Sequence, residues 1–442
     1  MSQSFTVQPT SRIGGTIRVP GDKSVSHRAL MLGAIASGAT HISGFLPGED
    51  CLATLAALRS MGIEIAQHDR TTLEVHGAGL GGLHQAAGAL DMGNSGTSTR
   101  LFMGLLAGQS FSSTLIGDES LSRRPMERVA EPLRRMSATV RTTNGTPPVT
   151  VGGATAQLTP LNFNMPIASA QLKSAVLLAG LYANGETTVT EPAITRDHTE
   201  RMLSQLGCRI RRTGATVSVT GGSPLRGASI GVPGDLSSAA FMVLAACVAE
   251  QGELVIDGVG LNPTRTGILD ILKLMGAKLR IEPGPDTGGE PTGRLIVQPS
   301  ALHGIDVPPA LVPLAIDEFP VIFMAAALAS GETRVSGAEE LRHKESDRIR
   351  VMAAGLATLG IEVEEQPDGA MIRGGRLGGG TINSHGDHRI AMAFAVAASR
   401  AEGAVTILDT ANVATSFPGF PDLARQIGLD INSVMTESPG NG

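Results

Sequence analysis

The sequence predicts an α/β protein made of six βαβαββ-like units, three in each of two domains. One pattern recurs along the 442 residues: a polar or glycine turn, an apolar helix of small residues, a Gly-rich turn and a β-type run. The copies recur at roughly 65 to 83 residues, longer than a solenoid repeat, so each can form a small packed α/β unit. The polar turns lie at 21–24, 94–97, 169–174, 233–238, 316–320 and 386–389.

The first copy contains the features of the whole series. A strand-like run leads into residues 21–28, which read Gly-Asp-Lys-Ser-Val-Ser-His-Arg, and then into the apolar helical run 29–36. Ser24 or Ser26 is predicted to cap this helix, so that its free N–H groups and positive dipole end face the turn. The lysine and arginine of the turn add two positive charges. This combination favours a phosphate or carboxylate site over the alternative, an ordinary capped helix whose charges face water.

The later copies follow the same order and set the domain limits. Most continue with a second helix that ends in Met-Gly or Leu-Gly and then a strand pair, as at 56–65, 202–210, 271–279 and 351–363. Because there are six units, the boundary between the two domains is expected after the third copy, at a Pro-Gly turn near 232–235. A second point at which the chain passes from one domain to the other is expected near 20–21. The predicted domains are 21–234 and the combination of 1–20 with 235–442.

Composition limits the class of ligand and the compartment. A net charge of -6 and a pI of about 6.0 argue against nucleic-acid or acidic-membrane binding, so an anionic ligand needs a local cationic cleft. Cys51, Cys208 and Cys247 are scattered and odd in number, which is typical of core residues in a reducing compartment. The N-terminus lacks a signal pattern and no uninterrupted apolar run reaches membrane length. These features predict a soluble, cytoplasmic protein.

Basic residues concentrate at the loops that precede the repeat helices. They are Lys23, Arg28, Arg100, Arg123, Arg124, Lys173, Arg196, Lys344, Arg348 and Arg389. The acids at these turns are Asp317, Glu318, Glu345, Asp347 and Asp387. A cationic pocket that holds one or two carboxylates suits general acid/base chemistry on a phosphorylated or carboxylated substrate. Walker, HExxH, paired CxxC and dinucleotide-binding patterns do not occur, so nucleotide hydrolysis, a structural zinc and dinucleotide chemistry are disfavoured, and no metal or cofactor is predicted.

Seven stretches in order resemble the motifs of the 3-phosphoshikimate 1-carboxyvinyltransferase (EPSP synthase) family, over nearly the whole chain. They are 21–28, 93–100, 124–126, 169–174, 196–200, 344–348 and 387–389. The residues at 169–174 and 195–200 are more similar to those of the second bacterial class of the family than to those of the first. The resemblance implies two domains of three βαβαββ units with an active-site cleft between them, which agrees with the repeat count.

The resemblance also implies the reaction. The family transfers the carboxyvinyl group of phosphoenolpyruvate to the 5-hydroxyl of shikimate 3-phosphate, in the shikimate pathway to chorismate and aromatic amino acids. Addition and elimination pass through a tetrahedral intermediate, phosphate is released, and no metal or organic cofactor is needed. The expected partners are the two substrates and glyphosate as an inhibitor, without nucleic acid or membrane, and the expected state is a monomer.

Position by position, the resemblance implies three catalytic residues. Glu345 is the expected proton donor to the methylene carbon, Asp317 the base near the attacking hydroxyl, and Lys23 the third. Ordinary salt-bridge partners are the alternative for the two carboxylates. The implied shikimate 3-phosphate ligands are Lys23, Ser24, Arg28, Ser169, Ala170, Gln171, Arg196, Asp317 and Lys344. The implied phosphoenolpyruvate ligands are Lys23, Asn94, Gly96, Arg124, Gln171, Glu345, Arg348, His388 and Arg389.

Other positions qualify this assignment. His388 either orients a phosphate or is structural, whereas His27 and His198 are expected to be structural. Thr415 stands where many family members have a lysine, which leaves Arg389 with more of the phosphoenolpyruvate contact. Ala170 stands where the first class has a second serine, so one hydrogen bond to the substrate phosphate is expected to be missing.

Gly96 bears on the inhibitor. In the family this glycine lies beside the phosphoenolpyruvate site, where a methyl group crowds the longer glyphosate molecule. The resemblance therefore implies a glyphosate-sensitive enzyme.

Three other functions fit parts of the sequence. The related UDP-N-acetylglucosamine enolpyruvyl transferase carries Lys-Asn at the position of Lys23-Ser24 and a cysteine in a mobile loop, which this chain lacks. An RNA 3′-phosphate cyclase would need a nucleotidyl-accepting histidine and a more basic surface. A non-enzymatic repeat scaffold for anionic partners would leave Asp317 and Glu345 without a role.

Overall fold

The structure, a computed structural model, describes residues 2–154 and 156–436 as twelve α-helices and twenty-three strands. The helices are α1 (Lys23–Ile35), α2 (Glu49–Ser60), α3 (Gly96–Leu106), α4 (Glu127–Arg135), α5 (Ala170–Gly180), α6 (His198–Gln205), α7 (Leu236–Val248), α8 (Gly267–Leu274), α9 (Phe319–Ala327), α10 (Arg348–Thr358), α11 (His388–Ala397) and α12 (Phe420–Ile427). The strands are β1 (Ser2–Gln8), β2 (Gly15–Ile17), β3 (Ser37–Ser43), β4 (Glu64–Gln67), β5 (Leu73–Ala78), β6 (Leu90–Asp91), β7 (Ser112–Ile116), β8 (Val140–Thr143), β9 (Thr146–Gly152), β10 (Asn162–Asn164), β11 (Glu186–Thr190), β12 (Ile210–Thr213), β13 (Thr216–Thr220), β14 (Ser229–Gly231), β15 (Leu254–Gly260), β16 (Lys278–Pro283), β17 (Thr292–Gln298), β18 (Glu332–Val335), β19 (Glu362–Gln366), β20 (Gly369–Arg373), β21 (Gly380–Asn383), β22 (Val405–Leu408) and β23 (Asp430–Thr436).

The described strands form six sheets with one common topology. Five sheets have the orders β14-β3-β5-β4, β6-β7-β9-β8, β10-β11-β13-β12, β2-β15-β17-β16 and β21-β22-β1-β23. In each, the first pair is parallel and the other two pairs are antiparallel. The sixth sheet, β18-β20-β19, lacks a full first strand. Isolated parallel bridges take its place, joining Asp306 to Arg334 of β18 and His303 to Ser330 just before β18. The predicted α/β architecture of six repeated units is confirmed.

The chain separates into two compact units. Unit 1 comprises Met1–Pro20, Gly234–Pro285 and Pro291–Gly442, and unit 2 comprises Gly21–Pro233 with Asp286–Glu290. Residues 1 and 437–442, which the predicted domain also includes, lie outside the described residues. Each unit contains three of the six sheets. In unit 1 the first strand of the chain, β1, lies between β22 and β23.

One helix of each repeat is almost entirely buried. In unit 2 these helices are α1, α3 and α5, and in unit 1 they are α7, α9 and α11. Small residues such as those of the Ala239–Ala240 pair let these helices pack closely, and the apolar surface that they remove from water stabilises each core. The N-termini of these helices carry the polar turns of the sequence pattern.

The prediction that Ser24 or Ser26 caps α1 is wrong. Asp22 is the N-cap, and its Oδ1 accepts a hydrogen bond of 2.9 Å from the N–H of Val25. Ser24 lies inside the first turn, and the Ser26 hydroxyl instead accepts a hydrogen bond from the N–H of Leu46. An aspartate two residues before Ser24 caps the free N–H groups as well as a serine would, and aspartates take the same place at α7 and α11.

The three cysteines are buried and free, as expected for core residues. Every helix within the described ranges is too short or too polar to cross a bilayer.

Candidate active site

The start of α1 in unit 2 presents a cation held by a neighbouring helix. Lys23 is the first residue of α1, and its Nζ lies 2.9 Å from Oδ2 of Asp50 in α2. Both side chains are mostly buried. Asp50 therefore fixes the ammonium at the N-terminal end of the helix, where the dipole also favours an anion.

Arg28 lies one turn further along α1 and is held from three directions. Its Nε donates to the hydroxyl of Thr199 at 2.7 Å, its Nη2 to the hydroxyl of Ser174 at 2.9 Å, and its Nη1 to the carbonyl of Ser24 at 3.0 Å. Burial lowers the pKa of this guanidinium to about 10, and the carboxylate of Glu200 opposes the shift. At neutral pH Arg28 is therefore a fixed positive charge.

Asn94 and Arg124 form a second cationic point, at the start of α3. The Nη1 and Nη2 of Arg124 donate to the backbone oxygen and to Oδ1 of Asn94, at 3.0 and 2.5 Å. A Cβ added to Gly96 would lie 3.3 Å from Nη1 of Arg124 and 3.2 Å from Nη1 of Arg100. The glycine thus permits two guanidinium groups to approach the helix end closely.

The start of α5 supplies neutral hydrogen-bonding groups. Ser169 caps this helix, and Ala170 is its first residue. The Gln171 amide accepts from Nη1 of Arg100 at 2.6 Å and donates to the Thr97 hydroxyl at 2.8 Å, so its orientation is fixed. Since Ala170 has no hydroxyl, the hydrogen bond that a second serine would supply is absent there.

Arg196 lies in the loop between β11 and α6, half-buried. Its positive charge lowers the pKa of Arg28, so the two guanidinium groups act on the same region of unit 2. Two neighbouring cations of this kind favour a ligand with more than one negative charge, such as a phosphate.

In unit 1 the structure gathers two carboxylates and three cations. Asp317 Oδ1 lies 3.3 Å from Nζ of Lys344 and 3.7 Å from Nη1 of Arg348. Glu345 Oε2 accepts a hydrogen bond of 2.6 Å from Nη2 of Arg348. The buried Arg348 therefore joins the two carboxylates. Arg389 donates from Nη1 to the backbone oxygen of Asp317 at 3.1 Å.

Asp387 anchors this cluster. It caps α11 through the N–H of Arg389, and its two oxygens accept from Nε and Nη2 of Arg348 at 2.9 and 3.3 Å. Burial alone would lower the pKa of Arg348, but Asp387, Glu345 and Asp317 outweigh it and raise the pKa above its ordinary value. Arg348 is thus charged throughout the working pH range.

Two further positions of unit 1 complete the predicted set. His388 is buried as the first residue of α11. Thr415 is also buried, and its hydroxyl donates to the carbonyl of Asn412 in the same turn. A lysine at position 415 would have added another cation to this part of unit 1.

The structure brings the predicted residues together as two sets, one in each unit. The set of unit 2 is Lys23, Ser24, Arg28, Asn94, Gly96, Arg124, Ser169, Ala170, Gln171 and Arg196. The set of unit 1 is Asp317, Lys344, Glu345, Arg348, His388 and Arg389. The set of unit 2 contains cations and neutral hydrogen-bonding groups, and the set of unit 1 contains cations and two carboxylates; such groups suit anion binding and proton transfer. Among the described residues no group of three His, Cys, Asp or Glu side chains is arranged to hold a metal ion.

Three residues support these groups without being among the predicted ligands. Asp50 holds Lys23, Arg100 holds Gln171, and Asp387 holds Arg348. The sequence singled out Arg100 and Asp387 only as charges at the loops before the repeat helices, and it did not single out Asp50. No comparable signal in the sequence identifies Asp50.

The family model for EPSP synthase (3-phosphoshikimate 1-carboxyvinyltransferase) matches residues 7–423 of the chain. The chain is 56% identical over 427 residues to the 3-phosphoshikimate 1-carboxyvinyltransferase of Alkalilimnicola ehrlichii, with 96% of each chain covered. It is 55% identical to the enzyme of the same name from Methylococcus capsulatus, covering 97% of this chain and 98% of the relative. A solved structure of EPSP synthase from Acinetobacter baumannii superposes with a TM-score of 0.88 at 51% identity, covering 98% of this chain and 100% of the other.

Proposed function

The chain belongs to the EPSP synthase family, and from that membership we propose that it transfers the carboxyvinyl group of phosphoenolpyruvate to the 5-hydroxyl of shikimate 3-phosphate. The oxygen of the acceptor forms a bond to C2 of phosphoenolpyruvate while C3 takes up a proton. The tetrahedral intermediate then loses a methyl proton and inorganic phosphate. The enzyme is a transferase of the shikimate pathway.

The observation that carries the chemical assignment is the cluster around Arg348. Two carboxylates, Asp317 and Glu345, contact one buried guanidinium, and Lys344 contacts Asp317 as well. A reaction that both adds and removes a proton next to anionic substrates needs carboxylates within a cationic setting. An anion-binding scaffold would need only the cations.

We propose that Glu345 gives the proton to the methylene carbon and later takes one from the methyl group. Asp317 accepts the proton of the attacking hydroxyl, and Lys23 is the third catalytic residue because its fixed ammonium stabilises charge that develops on the departing phosphate. Hydrogen bonding to Arg348 holds the Glu345 side chain in one orientation, which favours repeated proton transfer at one carbon.

The ligand assignments are those that the family motifs imply. We propose that shikimate 3-phosphate is bound by Lys23, Ser24, Arg28, Ser169, Ala170, Gln171, Arg196, Asp317 and Lys344. Phosphoenolpyruvate is bound by Lys23, Asn94, Gly96, Arg124, Gln171, Glu345, Arg348, His388 and Arg389. The guanidinium groups give orientation as well as charge, since a planar fork can bind a carboxylate or phosphate through two parallel hydrogen bonds.

Further properties belong to the same proposal. Glyphosate is the proposed inhibitor at the phosphoenolpyruvate site, because Gly96 leaves space beside Arg124. We also propose that the protein acts as a cytoplasmic monomer. The family model and the relatives favour shikimate 3-phosphate over UDP-N-acetylglucosamine as the acceptor.

The test is release of inorganic phosphate from phosphoenolpyruvate by the purified chain, with each acceptor in turn. Release that requires shikimate 3-phosphate supports the proposal. Release with UDP-N-acetylglucosamine and none with shikimate 3-phosphate would overturn it.

A further inference from the structure

Lys173 is a wholly buried lysine to which the reaction described above gives no role. It lies in α5, two residues after Gln171, and its side chain is inaccessible to solvent. Its Nζ lies 2.8 Å from Oε1 of Glu200 and 3.1 Å from Glu191. Because an ammonium group is costly to bury, it persists only where carboxylates surround it.

Lys173 and Glu191 together hold one residue of the loop between β11 and α6. The N–H and hydroxyl of Thr195 both donate to Oε1 of Glu191, and the carbonyl of Thr195 accepts from Nζ of Lys173 at 3.3 Å. All three polar atoms of Thr195 are therefore engaged by this pair. The tip of the loop is exposed at Ile194, so the loop is anchored from beneath at Thr195.

The anchored residue directly precedes Arg196. Fixing the backbone of Thr195 fixes the point from which the Arg196 side chain extends. The next residue, Asp197, is the N-cap position of α6 and accepts a hydrogen bond of 2.8 Å from Nε of Arg201. Arg196 is thus set between two anchored neighbours.

The same cluster also reaches Arg28. Helices α5 and α6 are joined by two adjacent contacts, Lys173 with Glu200 and the hydroxyl of Ser174 with that of Thr199 at 2.8 Å. Both hydroxyls accept hydrogen bonds from Arg28. A shift of α6 relative to α5 would therefore displace the groups that orient this guanidinium.

We propose that Lys173, acting through Glu191 and Glu200, is a positioning residue for the phosphate of shikimate 3-phosphate. It touches no substrate. It holds α5, α6 and the intervening loop so that Arg28 and Arg196 present their guanidinium groups to one phosphate. This inference rests on the proposed function, since it concerns the acceptor of that reaction.

The test is Lys173→Met, which keeps an unbranched side chain one atom shorter and removes the charge. Binding of shikimate 3-phosphate, measured by calorimetric titration, is expected to weaken about 10- to 100-fold, the loss of affinity that metal sites typically show when a residue that orients their ligands is removed. Binding of shikimate, which lacks the phosphate, should change little, and the KM for phosphoenolpyruvate should stay within threefold, or about 0.7 kcal/mol. Lys173→Arg should restore part of the affinity. The control is Lys273→Met, at an exposed lysine in α8.

The outcomes separate this inference from the proposed function. If the unaltered chain releases no phosphate with shikimate 3-phosphate, the proposed function fails. If it is active and Lys173→Met binds shikimate 3-phosphate normally, or weakens binding of shikimate equally, the positioning role is wrong. Should Lys173→Met not fold, Thr195→Val decides. It removes one hydrogen bond from the anchor and should weaken shikimate 3-phosphate alone, by about three- to tenfold.

Discussion

Arg348 determines what the carboxylates of unit 1 can do. Its guanidinium donates hydrogen bonds to Asp387 and to Glu345, and its Nη1 lies 3.7 Å from Oδ1 of Asp317. Removing a partner from such a buried network leaves an uncompensated charge, which is strongly destabilising. The guanidinium therefore sets the positions of both proposed proton-transfer groups.

Glu345→Gln is expected to lower kcat about 10²- to 10⁴-fold, the usual contribution of a general acid or base. The glutamine oxygen can still accept from Arg348, but it cannot carry the proton, so the KM for shikimate 3-phosphate should change much less. Steady-state phosphate release measures both. Glu339→Gln, at an exposed carboxylate of the preceding turn, is the control. A kcat for Glu345→Gln within threefold of the unaltered chain would contradict the assignment.

Gly96→Ala should raise the inhibition constant of glyphosate more than the KM for phosphoenolpyruvate. A methyl group there lies within 3.3 Å of the Arg124 and Arg100 guanidinium groups, which Asn94 and Gln171 hold in place. Such a steric conflict is worth about 10- to 200-fold against the longer ligand. Inhibition kinetics give both constants.

Gly88→Ala, at a position with open space around its Cβ, is the matched control for Gly96→Ala. Equal rises of the glyphosate inhibition constant and the phosphoenolpyruvate KM in Gly96→Ala would remove the steric explanation.

The sequence predicts which residue types line the site but not how they pair. Asp317 and Glu345 were expected from their motifs, and the structure places both on Arg348. Lys23 pairs with Asp50, 27 residues away in another helix, and motif spacing carries no information on such a contact. Pairings of this kind depend on how helices pack, which local patterns do not specify.

At the scale of elements, a buried histidine connects three helices of unit 2. His27 of α1 places Nδ1 2.9 Å from the hydroxyl of Thr54 in α2 and 3.2 Å from that of Ser98 in α3. Ser95, which caps α3, lies 3.5 Å from the other ring nitrogen. The expectation that His27 is structural thus has a physical basis: it joins the start of α3, which carries Gly96, to α1.

Burial first, and then the charges of Lys23 and Arg28, lower the pKa of His27 well below its ordinary value. The unfolded chain therefore takes up a proton near pH 6.5 that the folded chain refuses, and stability is lost as pH falls below 6.5. We expect His27 to lower the unfolding free energy at pH 5.5, relative to pH 7.5, by an amount on the order of 1 kcal/mol. Urea unfolding at pH 7.5 and 5.5 measures it.

In that experiment His27→Asn, which retains a polar group near Nδ1, should lose less stability between the two pH values than the unaltered chain. His84→Gln, at an exposed histidine of the same unit, should behave like the unaltered chain. Equal losses for all three would show that His27 does not titrate in this way.

The positions of the helices could be predicted because the apolar runs are long. The residues that cap the helices were harder to predict. The sequence offered Ser24 and Ser26 as caps for α1, and Asp22 takes that place. Aspartate and serine are nearly equal as capping residues, so the choice is made by where the chain turns. At α9 no side-chain hydrogen bond caps the helix, and a proline occupies one of its first positions.

At the scale of the molecule, the six repeats are not continuous stretches of chain. β2 precedes α1 in sequence but pairs with β15, and β14 precedes α7 but pairs with β3. The repeat count was predictable from the recurring pattern. The exchange of these strands could not be predicted. It depends on parallel pairing between segments more than 180 residues apart, and local periodicity carries no information on such pairing.

β1 completes the last sheet of unit 1, so its apolar residues should matter to that unit. Phe5 is buried, and its ring centroid lies 6.0 Å from that of Phe420. Phe5→Ala is expected to destabilise unit 1 by roughly 3–5 kcal/mol, since it leaves a cavity. Urea unfolding followed by limited proteolysis assigns the loss to a unit. Gln8→Ala, at an exposed position of the same strand, is the control, and cleavage that begins in unit 2 would contradict the prediction.

The place of β1 between β22 and β23 also bears on the order in which the chain can fold during synthesis. Residues 2–8 leave the ribosome long before their hydrogen-bonding partners at 405–408 and 430–436. Unit 2 can close its three sheets while translation continues, apart from the short segment 286–290. Unit 1 cannot complete its last sheet until β23 has been synthesised, so Phe5 and Val7 of β1 lack their sheet neighbours in the nascent chain until then.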